Sequence, residues 1–166
     1  MNNLKRICIL SMLLAIAIVL NILESFIPMF IPGVRLGLAN VIILIMLYEF
    51  KAYEAFIVDL LRILIVALCR GTLLTPTFFM AFSGGMVSYF MMLLFSKLKF
   101  FSPIGVSVLG AVSHATGQIL IAIVLLKTNA VLYYLPWIAL LSIATGILSG
   151  FLVKVYLKRS ITHRFI

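Results

Sequence analysis

Six long apolar runs fill the chain, separated by short polar, Pro-bearing or Gly-bearing stretches. They predict helices over residues 7–27, 36–48, 53–69, 78–95, 104–126 and 131–156. A helix that crosses a bilayer needs about 20 apolar residues. Pro28 and Pro32 close the first run, because proline lacks a backbone donor and clashes with the preceding turn. The second run is short for a full span. Part of the stretch before it is therefore expected to dip into the membrane, where only protein or a watery cavity tolerates irregular backbone. Glu49, Phe50, Lys51 and Ala52 form a tight polar turn, and Pro76 ends a loop that begins at Arg70. Lys97 and Lys99 follow the fourth run, Lys127, Thr128 and Asn129 the fifth, and Pro136 stands near the start of the sixth. The sequence has no strand alternation, low-complexity segment or convincing internal repeat.

Composition fits the same picture. The chain has 166 residues, 65% of them hydrophobic and 10% charged, with a mean hydropathy of +1.31. Soluble domains are about 45–50% apolar and about 25% charged. The expected fold class is therefore all-α integral membrane, with six transmembrane helices forming a single domain over residues 1–166. A net charge of +9 would suggest nucleic acid in a soluble protein. Here topology explains it, because basic residues collect in cytoplasmic loops. Lys5 and Arg6 ahead of an apolar run imitate a signal peptide. That run continues well past the small residues Ala15 and Ala17, so an uncleaved first span is expected. Cys8 and Cys69 lie in apolar runs without CxxC spacing and read as small hydrophobes.

Six spans put both termini on one side. With the N-terminus inside, the inner face carries Lys5, Arg6, Lys51, Lys97, Lys99, Lys154, Lys158, Arg159 and Arg164, and the outer face Arg35, Arg70 and Lys127. This asymmetry places both ends in the cytoplasm. Each polar residue then acquires a depth. Asn21 and Glu24 share a face in the outer half of the first helix. Arg35 and Asn40 lie in the outer half of the second, within PGVRLGLAN (32–40). Asp59 falls below the middle of the third helix, Arg62 near it and Arg70 at its mouth. Ser83, Gly84, Gly85 and Ser88 line the fourth, and Gly110, His114 and Gln118 follow one face of the fifth.

Ionisable groups within a span cost at least about 2.5 kcal/mol and usually face the bundle interior, where they carry function. The shared level predicts an outward-opening pocket that binds substrate through Asn21, Glu24, Arg35, Asn40, Arg62, His114 and Gln118. Competing readings stand beside it. Asp59 and Arg62 can pair along one helix, Arg70 can anchor at headgroups, and His114 can be a neutral core histidine. Asn21, Asn40 and Gln118 can act as interhelical glue. Basic residues outnumber acidic ones at this level, which points to an anionic group on the ligand. The surrounding Leu, Ile, Phe and Met suit an apolar remainder. In the inner half, Ser11, Ala15 and Ala17 permit close packing, either within the bundle or against a partner.

No catalytic engine is legible. The chain lacks a P-loop, HExxH and GxSxG. Its single Asp cannot supply the Asp-rich motifs that hold magnesium and diphosphate in prenyl diphosphate synthases. A binding subunit without enzymatic activity is expected, with no cofactor and no metal.

The segments LESFIP (23–28), PGVRLGLAN (32–40), FSPIGVSVLGAVSHATGQ (101–118) and YYLP (133–136) resemble the bacterial Gx transporter family, also labelled heptaprenyl diphosphate synthase component I. The likeness runs over nearly the whole chain. That family often has Lys where Arg35 stands and Asn near Thr116, differences that bear on ligand contacts rather than on membership. It is similar to the substrate-binding S components of energy-coupling factor (ECF) transporters. Those are six-helix bundles that bind vitamins or related metabolites from outside, pair with a membrane coupling protein and two ATPases, and topple to release substrate. The resemblance implies such partners, a multi-pass place in the bacterial cell membrane, and an ECF S-component-like bundle. The prenyl-synthase label implies an alternative, a membrane component of menaquinone side-chain synthesis.

Overall fold

Helices form where the apolar runs lie. The computed structural model describes residues 3–26, 38–98 and 100–164, apart from the side chains of 3 and 160–164. Its α-helices are α1 (Asn3–Glu24), α2 (Asn40–Glu49), α3 (Ala52–Cys69), α4 (Pro76–Ser96), α5 (Pro103–Leu126) and α6 (Leu135–Arg164). A 3-10 helix, Asn129–Tyr134, leads into α6. No strand occurs among the described residues. Pro76 and Pro103 open α4 and α5, where a missing N–H costs no helical bond.

Helix α1 begins at Asn3 and α6 runs to Arg164, beyond the expected 7 and 156, and three further boundaries differ from expectation. The first helix stops at Glu24, not at 27, and Ser25 and Phe26 form a turn. Ser25 Oγ donates to the Ile22 carbonyl at 2.6 Å, a local bond that competes with further helix. The second helix begins at Asn40, after a turn at Leu38 and Ala39. Residues 131–134, expected inside the sixth helix, belong to the 3-10 helix, whose Ala130 N–H donates to Thr128 Oγ1 at 3.3 Å. Helix α6 then starts late enough for Pro136 to sit in its first turn.

Four segments are long and apolar enough to cross a membrane: Leu4–Glu24, Pro76–Ser96, Pro103–Leu126 and Asn129–Arg159. The bundle is therefore membrane-embedded. Helix α2, at 10 residues, covers about 15 Å, half of a bilayer core of about 30 Å. Helix α3 has 18 residues but carries Glu54, Asp59 and Arg62.

Helix α2 packs against α1, α3, α4, α5 and α6. Five consecutive residues, Ile42 to Met46, are buried. A helix apolar on all sides belongs in the middle of a bundle. Around it gather Ala17, Ala55, Val58, Tyr89, Met92, Val106 and Val153. A second cluster, with Met80, Ala115, Ile119, Ala122, Val131 and Ile138, joins α4, α5, the 3-10 helix and α6.

The helix directions follow from contacts at one end. Arg6 grips Glu54 with two nitrogens, Nε at 2.7 Å and Nη2 at 2.8 Å, so α1 and α3 start together. Tyr89 OH donates to the Ala52 carbonyl at 2.8 Å, bringing the C-terminal half of α4 to the same end. Tyr156 OH donates to Glu49 at 3.4 Å and adds α6. The expected segregation of charge is thus realised in space: Arg6, Lys51 and Lys154 share this end, while Arg70 and Lys127 follow the opposite ends of α3 and α5.

Candidate functional site

Helices α4 and α5 meet backbone to backbone. A Cβ at Gly84 would lie 2.9 Å from the His114 carbonyl and 2.8 Å from Gln118 Cγ. One at Gly117 would lie 3.0 Å from the Ser83 carbonyl. Ser83 Oγ fastens the contact by donating to the Gly117 carbonyl at 3.0 Å. Small residues permit such approach in a membrane bundle, where dispersion replaces the hydrophobic drive. The contact seats His114 and Gln118 on one face of α5, both buried. Gln118 Nε2 lies 3.1 Å from His114 Nε2. The two side chains are thus within hydrogen-bond reach across one turn of α5.

On the next residue of α4, Gly85 faces α3. A Cβ there would sit 3.6 Å from Asp59 Oδ2 and 3.7 Å from Arg62 Nη2. Asp59 and Arg62 are each only 1% exposed. Their spacing of one turn lets Arg62 Nη2 donate to Asp59 Oδ1. The pairing foreseen along this helix is therefore made. It is also incomplete, because Arg62 Nε is buried without a hydrogen-bond partner.

A third connection runs through the start of α2. Asn40 Nδ2 donates to Ser88 Oγ at 2.9 Å, and Ser88 Oγ donates to the Gly110 carbonyl at 2.8 Å. Asn40 thus ties α2 through α4 to α5. Just before Asn40, the Leu38 N–H donates to Glu24 Oε2 at 3.2 Å. A carboxylate at the first turn of a helix answers its unpaired N–H groups and its positive dipole end. Asn21 is buried one turn back on α1.

Six of the seven expected site residues, Asn21, Glu24, Asn40, Arg62, His114 and Gln118, are buried in the bundle. The seventh, Arg35, lies outside the described residues. Among the described residues, Arg62 and His114 are not brought together. Helix α4 stands between α3 and α5, which do not pack on each other, so Arg62 and His114 flank its Gly84–Gly85 step. The sequence puts Ser88 and Gly110 near this level but does not reveal their role as a bridge. That role depends on which way α2 faces, and α2 is apolar on every side. No group of three His, Cys, Asp or Glu side chains suited to a metal occurs among the described residues.

A profile of the family described as heptaprenyl diphosphate synthase component I matches residues 13–156. No curated protein and no solved structure matches the chain.

Proposed function

The chain belongs to the heptaprenyl diphosphate synthase component I family, and on that premise we propose that it is a metabolite-binding membrane subunit. It sits in a bacterial cell membrane with six spans and cytoplasmic termini. It takes up a small amphipathic metabolite from outside, and a separate ATP-driven module of the ECF type releases that metabolite inward. One observation carries this reading. Buried polar side chains of α1, α3 and α5 stand at and beyond the level of Asn40, where α2 begins. Polar groups are costly in a membrane interior and usually mark a ligand path. The basic end, with Arg6, Lys51 and Lys154, faces the cytoplasm. Alkaline phosphatase fused after Lys127 should then be active; an inactive fusion there would reverse the topology.

A second reading rests on the family's description. A membrane component of heptaprenyl diphosphate synthesis would hold an isoprenoid chain in the same interior. Catalysis would then belong to a partner, because this chain has a single Asp.

Affinity purification of the full chain from native membranes in mild detergent separates the two. Co-purification of two ATPases and a helical coupling protein is the expected result. Recovery of a soluble prenyltransferase instead would overturn the transport reading in favour of the second.

A further inference from the structure

The end of the bundle where α4 passes into α5 carries aromatic and basic side chains that the interior site does not use. Ser96 ends one apolar span and Pro103 begins the next, so the residues between them sit at a membrane surface. There Phe100 is 95% exposed and Leu98 47%. Lys97, which caps the C-terminal end of α4, is exposed beside them. The Phe100 ring meets Phe101 edge-on at 6.0 Å, and Phe101 meets Phe95, itself packed on the core around α2, at 4.9 Å. This ladder of rings supports an apolar side chain that points away from the protein.

Helix α6 brings a second cation to the same place. It runs against α5 in the opposite direction, with Gly146 beside Val108 and Gly150 beside Ile104. Lys154 stands one turn beyond Gly150 on nearly the same face. Helix α5 begins just before Ile104, at Pro103, so α6 has no turn of α5 opposite Lys154, and Lys154 is exposed. Carboxylates do not cancel this charge. Of the chain's four acidic residues, Glu24 and Asp59 lie deeper in the bundle, Glu54 is bound by Arg6, and Glu49 accepts from Tyr156 OH.

We propose that Lys97 and Lys154 hold the headgroup of an anionic phospholipid, with Phe100 against its acyl chains. Lysine meets phosphate as a point charge, and basic residues beside a span attract anionic lipid. An acidic protein segment would match the two lysines but would leave the Phe100 ring unexplained, whereas acyl chains already surround the ends of the two spans. The inference goes beyond the metabolite-binding reading. It needs only the membrane-embedded bundle and holds for either orientation of that bundle.

Lipid displacement tests the proposal. A phosphatidylglycerol with a fluorescent acyl chain is bound to the full chain in mild detergent, and anisotropy follows its release by unlabelled phosphatidylglycerol or phosphatidylcholine of equal chain length. Phosphatidylglycerol should act at roughly 25-fold lower concentration, since two lysines contribute about 1 kcal/mol, or about fivefold, each. Lys97→Gln with Lys154→Gln should remove this preference. Arg70→Gln with Lys127→Gln, the same loss of charge at the opposite end, should keep it. Phe100→Ser should weaken both lipids alike and leave their ratio unchanged. All five side chains are exposed, so each variant should unfold at the parent's temperature. Equal displacement by the two lipids overturns the proposal, and so does an equal loss of preference in the two charge-matched pairs, which would reflect net charge alone. Phe100→Ser with unchanged affinity would overturn the acyl contact. If Lys97→Gln with Lys154→Gln kept the lipid preference but lost co-purifying protein, the surface would belong to a protein partner instead.

Discussion

Replacing Arg62 by Met will lower the stability of the folded bundle by about 3–5 kcal/mol, the range for breaking a buried ion pair from one side. The loss comes from what remains. Asp59 is 1% exposed and has no other hydrogen-bond donor among the described residues, so its carboxylate would be left charged and unpaired. The coupled change Asp59→Leu with Arg62→Met removes both charges and should recover most of the loss, because apolar residues of similar volume replace buried ion pairs at little cost. Thermal unfolding of the three proteins in one detergent, followed by far-ultraviolet circular dichroism, measures the difference. A single variant as stable as the parent would mean that water reaches Asp59. A double variant no better than the single would mean that Arg62 stabilises by packing rather than by charge.

The two partners were recognisable in the sequence as residues one helical turn apart, but not the decision between pairing and ligand binding. That decision depends on what α4 presents. Gly85 brings bare backbone to the pair and offers no competing side chain. The same limit recurs across the bundle. Apolar runs and Pro positions reveal where helices lie, and charge asymmetry reveals which ends gather, as Arg6 with Glu54 and Tyr156 with Glu49 bear out. Depth along a helix is also legible, since Asn40, Ser88 and Gly110 were placed near one level and do bond to one another. Direction around a helix axis is not legible in helices that are apolar on every side. Arg62 and His114 share a depth, yet α4 keeps their helices apart. The close contact of α6 with α5 is not legible in the sequence for a related reason. Gly146 and Gly150 have the GxxxG spacing of a packing face, but glycines in an apolar run do not say which neighbour they meet.

Gly150→Ala should destabilise the protein by about 1–2 kcal/mol, whereas Gly105→Ala should leave it unchanged or slightly more stable. In an isolated helix both changes would help, since Ala is favoured over Gly by about 0.5–1 kcal/mol. The surroundings reverse the sign at Gly150. A Cβ there would lie 2.5 Å from Ile104 Cα and 3.0 Å from Ser107 Cβ, so helix backbone, rather than the tip of a side chain, must give way. One turn earlier, a Cβ at Gly146 would lie 2.8 Å from Val108 Cα, so the tight contact extends along the interface. Nor can α5 retreat freely. Its other side is held against α4, where a Cβ at Gly110 would meet Met92 Cγ at 2.6 Å and Gly84 abuts the His114 carbonyl. Overpacking of this kind costs about 1–3 kcal/mol, more than the helix propensity returns. At Gly105 the nearest atoms to an added Cβ are Phe101 Cδ1 at 3.5 Å and Ser102 Oγ at 3.7 Å, which is ordinary contact. Melting temperatures of both variants in the same detergent compare the two sites directly. If Gly150→Ala matched Gly105→Ala, α6 would be free to move away from α5, and His114 and Gln118 would lack the rigid support that a preformed binding face requires.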